Sequence, residues 1–269
     1  MMKEHYVVIG SSRGLGNALV DELVCAKACC VTGIARTGFE AVPNHERWNT
    51  SGRYQHVEVD IGRRKSLEVL RKLSANFPPK KLCVIYNAAC LIQDVNKDMS
   101  INHDAFEEVN RVGINGFGYV LRGFEQHLLK YGGTLTVISS INALKPPVLE
   151  PRIAYGATKA WLQMTMRCLR FVWPENVRLL TVYLGHIGGN RETGLHGMLR
   201  PSYSRTARKI IQTLSRPRIP HEITYPFIYR IMYNYILKLI PDYLYYKLLV
   251  AFFKNRFVKS IVENYRNAA

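Results

Sequence analysis

The sequence predicts an α/β protein: one doubly wound parallel sheet with helices on both faces, followed by a C-terminal helical extension. Three observations predict it. Apolar, strand-like runs alternate with helical patterns over the first two-thirds of the chain. A glycine-rich turn sits between the first such run and the first helix. The composition, 269 residues with 48% hydrophobic and 21% charged, is that of a soluble globule able to bury a sizeable core. No low-complexity linker, repeat or block of like charge divides the chain. One domain is expected, with residues 1–190 as its core and residues 191–269 adding a loop, a last strand and terminal helices.

Tyr6-Val7-Val8-Ile9 reads as a buried strand and Asn17 to Ala26 as a helix. Between them Gly10, Gly14 and Gly16 stand at Gly-x3-Gly-x-Gly spacing, with Ser12, Arg13 and Leu15 in the same turn. Glycines let the backbone approach a pyrophosphate, and the helix N-terminus holds its charge, so the unit reads as a phosphate site. Cys29 to Ala35 is a second strand, ending at Arg36-Thr37. In a dinucleotide fold an acid at this strand end binds the ribose hydroxyls, whereas an arginine accommodates a 2′-phosphate. Ala35 stands where the acid belongs, with Arg36 after it and Arg13 in the turn, so NADP(H) is expected over NAD(H).

Tyr54 to Val59 is a third strand, ending at Asp60-Ile61, and Leu82 to Tyr86 a fourth, leading into Asn87-Ala88-Ala89. Asp104 to Lys130 has a long helical pattern. Thr134 to Ile138 is a fifth strand, and either hydroxyl of the Ser139-Ser140 pair after it can bind a substrate oxygen. The next helix, Ile153 to Val172, has an expected buried stripe of Ala160, Met164, Cys168, Leu169 and Val172. It also carries Tyr155 and Lys159, which share a face at i,i+4. An ammonium beside a phenol lowers its pKa from about 10 toward neutrality, which makes the tyrosine a proton-exchanging group.

Val177 to Tyr183 is a sixth strand, followed by Leu184 to Gly189. The segment from Arg191 to Pro226 has the proline and arginine content of a substrate loop around one helix, Ser204 to Leu214, and Ile223 to Tyr225 closes the sheet. Phe227, Ile228, Ile231, Met232, Tyr235, Ile236 and Leu239 then repeat at helical spacing up to Pro241, and a second apolar helix holds Tyr243, Leu244, Tyr245, Leu248, Leu249, Phe252 and Phe253.

The net charge is +17, concentrated after Gly194. No nucleic-acid module is recognisable, so no nucleic-acid partner is expected. The terminal apolar helices carry Arg230, Lys238, Lys247, Lys254, Arg256 and Lys259. Two readings stand: a hydrophobic lid over the cleft or a partner subunit, and a peripheral helix resting on anionic lipid. The six cysteines lack Cys-x2-Cys spacing and lie mostly in apolar segments, so they are expected as reduced, buried core residues without a metal. The first strand leaves no room for a leader and no apolar stretch reaches spanning length without a charge. The expected location is cytoplasmic, with peripheral membrane contact under the second reading.

Gly10, Gly14 and Gly16, then Asn87-Ala88-Ala89, then Ser140, Tyr155 and Lys159 resemble in order and separation the short-chain dehydrogenase/reductase family, from about Tyr6 to about Gly189. The resemblance implies a Rossmann-type core and Ser140, Tyr155 and Lys159 as catalytic residues. It implies cofactor contacts at Gly10, Ser12, Arg13, Gly14, Leu15, Gly16, Arg36, Asp60, Ile61, Asn87, Ala88, Tyr155, Lys159 and Ile187, with Asp60 meeting the adenine amino group. The activity implied is NADP(H)-dependent hydride transfer between a carbonyl and an alcohol. The C-terminal extension resembles those of relatives handling lipophilic ketones and alcohols, so a small hydrophobic substrate is expected. Homo-oligomers are common in the family, with Trp161 at the expected contact. The sequence departs from the family at several points. Counting from Phe106, Gly113 stands where the family has a catalytic asparagine, with Asn110 and Asn115 as nearby alternatives on other faces; Ala88 and Cys90 alter the Asn-Asn-Ala-Gly segment, Leu184 replaces a proline, and Gly188 or Gly189 replaces a threonine. The loop from Ser140 to Tyr155 is longer than usual and carries Pro146, Pro147 and Pro151. These departures motivate an alternative: a catalytically weak NADP-binding scaffold or redox-sensing protein. A sugar-nucleotide epimerase is a third reading, weakened by the short C-terminal part.

Overall fold

The computed structural model describes residues 5–27, 29–96, 98, 100–146, 152–189 and 199–254. Pro147 and Pro151 of the expected stiff loop, residues 190–198 of the expected substrate loop, and the basic residues Arg256 and Lys259 lie outside the described residues.

Seven strands form one sheet: β1 (His5–Ile9), β2 (Cys30–Ala35), β3 (Tyr54–Glu58), β4 (Leu82–Tyr86), β5 (Gly133–Ser140), β6 (Val177–Leu184) and β7 (Glu222–Tyr225). Their order is β3-β2-β1-β4-β5-β6-β7, and every pairing is parallel. This Rossmann-type order reverses direction between β1 and β4, which opens a crevice at their carboxyl ends. Strand side chains alternate between two cores. Val7 and Ile9 join Val84, Tyr86 and Val137 under one helical layer, while Val8 joins Cys83, Ile85 and Leu180 under the other.

Helix α1 (Gly14–Asp21) starts inside the glycine turn and continues through a π-helical turn to Ala26. It packs with α7 (Tyr203–Leu214) on one face of the sheet. On the other face lie α3 (Ser66–Asn76), α5 (Phe117–Tyr131) and α6 (Ile153–Val172). The structure adds α2 (His45–Thr50) and α3, which the apolar periodicity did not mark. The long helical pattern before β5 is α4 (His103–Asn110) joined to α5 by a π-helical stretch, Arg111–Gly116. Beyond β7 come α8 (Phe227–Ile231), extended by a π-helical stretch and a last turn through Leu239, and α9 (Asp242–Lys254).

Two expectations are corrected. Helix α6 buries Ala154, Thr158, Leu162 and Met166 with Lys159 and Gln163, whereas Met164 is 59% exposed and Val172 74% exposed. The expected stripe through Met164 and Cys168 therefore lies on the outward side. Apolar residues occupy both sides of this helix, so hydrophobicity alone could not choose the face; Lys159, which must enter the cleft, does. Among the cysteines only Cys29 and Cys83 are buried, while Cys30 and Cys168 are exposed and Cys25 and Cys90 partly so. Cys30 is the first residue of its strand, where the chain emerges from the core, and Cys168 belongs to the misjudged face of α6.

Candidate active site

A cleft of about 1250 Å³ runs along the carboxyl ends of the strands. Its floor is the glycine turn. Gly10 adopts φ +81°, and a Cβ there would lie 2.8 Å from the Ala88 backbone, so β1 and β4 can approach this closely only through a glycine. Gly16 is tighter still, since a Cβ would overlap the Gly10 carbonyl oxygen at 1.8 Å. The Asn87 amide donates to that same carbonyl at 3.0 Å, which ties the end of β4 to the turn. The result is a helix N-terminus whose glycines leave its backbone open toward the cleft.

Of the residues expected to bind cofactor, Gly10, Ser12, Arg13, Gly14, Leu15, Arg36, Asp60, Ile61, Asn87, Ala88, Tyr155, Lys159 and Ile187 all line this cleft, and so does Ser140. Gly16 is not in the cleft wall; it lies behind the turn and permits its shape. At the end of the cleft beside β2 and β3, Arg13 is exposed and Arg36 reaches the cleft while lying 3.5 Å from Glu108. Asp60 accepts from the Gly62 amide at 3.0 Å and from Arg111 at 2.9 Å, with Arg63 at 3.6 Å. Burial pushes its carboxyl up, but the Gly62 amide and Arg111 outweigh this and hold its pKa below the ordinary value. Asp60 therefore stays ionised, with its oxygens already engaged inside the protein, and the expected side-chain contact to adenine competes with these bonds.

At the other end, β5 delivers Ser140 and α6 delivers Tyr155 and Lys159. The Ser140 hydroxyl accepts from the Asn142 amide at 3.2 Å and, as a polar neighbour of the Tyr155 phenol, pulls its pKa down. Lys159 is 3% exposed; its ammonium donates to the Ile138 carbonyl at 2.8 Å and lies 5.5 Å from the centre of the Tyr155 ring. Burial lowers the Lys159 pKa to about 8. Burial also raises that of Tyr155, partly offset by the Ser140 hydrogen bond and the Arg152 guanidinium. The expected depression of the phenol by Lys159 is thus corrected: desolvation dominates, and Arg152 is the cation that acts on it. A hydroxyl pair next to a buried ammonium can hold a carbonyl oxygen and deliver a proton to it.

Gly113 sits in the π-helical stretch one layer behind α6, where a Cβ would lie 2.8 Å from Thr158 Cβ. The π-helical turn is of the kind often found at functional sites, but a Cβ at this position would meet Thr158.

Sequence reasoning missed Asp94. It is fully buried and caps α6 from a distant loop, its two carboxylate oxygens accepting from the Ile153 amide at 2.9 Å and the Ala154 amide at 2.5 Å. An acidic residue in a loop carries no signal of which helix it will cap. Tyr203 was also missed: it lines the cleft with its ring over Gly14 and against Gly188, where a Cβ would lie 2.6 Å from the ring. Tyr229, Met232 and Tyr233 of the α8 region complete the cleft wall.

The sheet order and the crevice define a Rossmann-type α/β protein. Residues 4–195 match a family model described as short chain dehydrogenase. The chain belongs to that family and is an oxidoreductase of it. Solved structures agree in fold. It is similar to a short-chain dehydrogenase from Streptomyces avermitilis with 18% identity and a TM-score of 0.74, over 93% of this chain and 97% of that one. A short-chain dehydrogenase from Burkholderia cenocepacia in complex with NADP shares 21% identity with a TM-score of 0.72, over 93% and 99% of the two chains. An alcohol dehydrogenase from the archaeon Thermococcus sibiricus, complexed with 5-hydroxy-NADP, shares 20% identity with a TM-score of 0.68, over 84% and 97%.

Proposed function

We propose that the chain is an NADP(H)-dependent oxidoreductase that interconverts a hydrophobic carbonyl compound and its alcohol. The observation that carries this reading is the convergence of Ser140, Tyr155 and Lys159 in the same cleft as the opened glycine turn. The residues fit a nicotinamide dinucleotide: Gly10, Gly14 and the α1 N-terminus form a cradle for a pyrophosphate, and β2 ends in Ala35 without an acid to repel a 2′-phosphate. Arg13 and Arg36 would hold that phosphate, and Lys159 the nicotinamide ribose. The cofactor supplies or accepts the hydride.

The protein's own residues do the rest. Tyr155 gives its proton to the carbonyl oxygen during reduction, and its raised pKa keeps that proton available at neutral pH. Ser140 holds the same oxygen through its hydrogen-bonding position beside the phenol. Leu91, Met232 and the rings of Tyr229 and Tyr233 give the substrate end an apolar wall, which supports a hydrophobic substrate. Helix α6 leaves Trp161, Met164, Phe171 and Val172 outward, an apolar strip suited to a second copy of the chain.

The test is NADPH oxidation against a panel of aldehydes and ketones, wild type beside Tyr155→Phe. The expected result is turnover by the wild type of at least one lipophilic carbonyl and its loss in the variant, with NADPH binding retained. Arg13→Ala with Arg36→Ala should weaken NADPH and spare NADH. Tight NADPH binding without turnover of any carbonyl would favour the scaffold reading instead.

A further inference from the structure

We propose that the α8–α9 hairpin seats the protein on an anionic membrane surface, so that the mouth of the cleft opens at that surface. The α8 region is apolar on two sides. Tyr229, Met232 and Tyr233, at i, i+3 and i+4, face the cleft. The opposite row, Phe227, Ile231 and Tyr235 at i, i+4 and i+8, is exposed, and Leu239 at the end of the helix is 83% exposed. A helix that merely covers a cleft turns a polar row to water. Here the outward row is as apolar as the inward one.

The second helix continues the same surface. Tyr245 is buried and its hydroxyl donates to the Pro146 carbonyl at 3.0 Å, while Lys145 donates to the Ile240 carbonyl at 3.4 Å. These bonds fasten the hairpin to the loop after β5, beside Ser140. Tyr243, Leu248 and Val250 remain more than half exposed. Single exposed apolar residues are ordinary, but a row of them on α8 with further ones on α9 marks an interaction surface.

Charge selects the occupant. Between Pro226 and Lys254 the sequence has Arg230, Lys238, Lys247 and Lys254 against Asp242 alone, within a chain of net charge +17. Arg230 and Lys247 are exposed among these apolar residues, with the Lys247 ammonium 5.9 Å over the Tyr243 ring. Apolar residues rimmed by cations suit the interface of a bilayer that contains acidic headgroups, whereas a second copy of this chain would bring the same positive charge. Among the described residues no helix is long and apolar enough to cross a membrane, so the contact is peripheral. Because Tyr229, Met232 and Tyr233 lie on the reverse of the docked face, docking would bring the cleft wall within one helix of the bilayer, from which a carbonyl substrate would enter. This last step rests on the oxidoreductase reading; the docking itself does not.

The experiment is co-sedimentation of the full chain with vesicles of phosphatidylcholine alone and of phosphatidylcholine mixed with phosphatidylglycerol, which supplies the acidic headgroup. The expected result is binding to the acidic vesicles, at least tenfold weaker to the neutral ones and reduced by high salt. Phe227→Glu with Leu239→Glu should abolish it while leaving NADPH binding intact. Arg230→Gln with Lys247→Gln, which leaves the apolar rows untouched, should weaken acidic-vesicle binding by about fivefold per lost cation. Equal binding by wild type and the glutamate variant overturns the proposal. So does an absence of vesicle binding together with a shift from dimer to monomer in the glutamate variant, which would assign the face to a second copy. Vesicle binding without carbonyl turnover would leave the docking standing and remove only the carbonyl-reduction reading.

Discussion

Lys159 is tethered to Ile138: its ammonium donates to that backbone carbonyl at 2.8 Å, beneath the sheet end and out of water. One hydrogen bond does not replace the lost hydration, which is why burial brings its pKa down to about 8. The ammonium is therefore an electrostatic cost in the cofactor-free chain, retained where an anionic ligand and its ribose are expected.

A stability prediction follows from the sign of that shift. The folded chain releases the Lys159 proton near pH 8, while the unfolded chain keeps it until about 10.5, so this group makes stability rise as pH rises between those values. Lys159→Met removes the effect. The variant should be more stable than wild type at pH 7, with the gap closing toward pH 10, as read by thermal melts across pH. A gap that does not change with pH would show that the lysine is hydrated.

Arg152 provides a second pH signature. Its guanidinium draws the Tyr155 pKa down against the upward pull of burial. Alcohol oxidation needs the phenolate as base, so Arg152→Gln should move the rising limb of the oxidation rate to higher pH. The reductive direction, which needs the protonated phenol, should keep its rate at neutral pH. The measurement is the pH profile of kcat in both directions, and coincident oxidation limbs for wild type and variant would remove Arg152 from this role.

Much of this was legible in the sequence. The sheet core follows from apolar runs such as Val7-Val8-Ile9 and Cys83-Val84-Ile85, which are buried on both faces and can be little else than central parallel strands. Nearly every expected site residue reaches the cleft, because the strand ends place them there. What the sequence did not reveal depends on partners far along the chain. Asp94 caps a helix that begins at Ile153, and Arg111 takes up the carboxylate of Asp60. The inward face of α6 was misjudged because Met164, Phe171 and Val172 are as apolar as the residues that are buried.

Asp94 should hold helix α6 in place. Its carboxylate satisfies two amides at the start of α6, immediately before Tyr155, and its charge sits at the positive end of the helix. Asp94→Ala leaves both amides without this acceptor and should cost about 2–4 kcal/mol of stability. Asp94→Asn retains one acceptor and should lose less. Because the helix start carries the phenol, kcat should fall in both variants while the KM for NADPH holds. Equal loss of NADPH affinity would mean general unfolding of the site and not a displaced Tyr155.

Gly113 meets Thr158 so closely that the missing asparagine cannot simply be restored. A Cβ at position 113 would stand 2.8 Å from both Cβ and Cγ2 of Thr158. Thr158 is itself locked, being buried with its hydroxyl donating to the Tyr155 carbonyl at 2.9 Å. The contact is therefore between backbone-proximal atoms of two packed helices, and neither can yield by rotating a side chain. Gly113→Ala should destabilise by about 1–3 kcal/mol through overpacking, in spite of the better helix propensity of alanine. Thr158→Gly removes the opposing Cβ, so the double variant should be more stable than the two single losses predict when added. Chemical denaturation of the four proteins measures that coupling. Strict additivity would show that the helices separate freely, and that glycine is then not required at this position by packing.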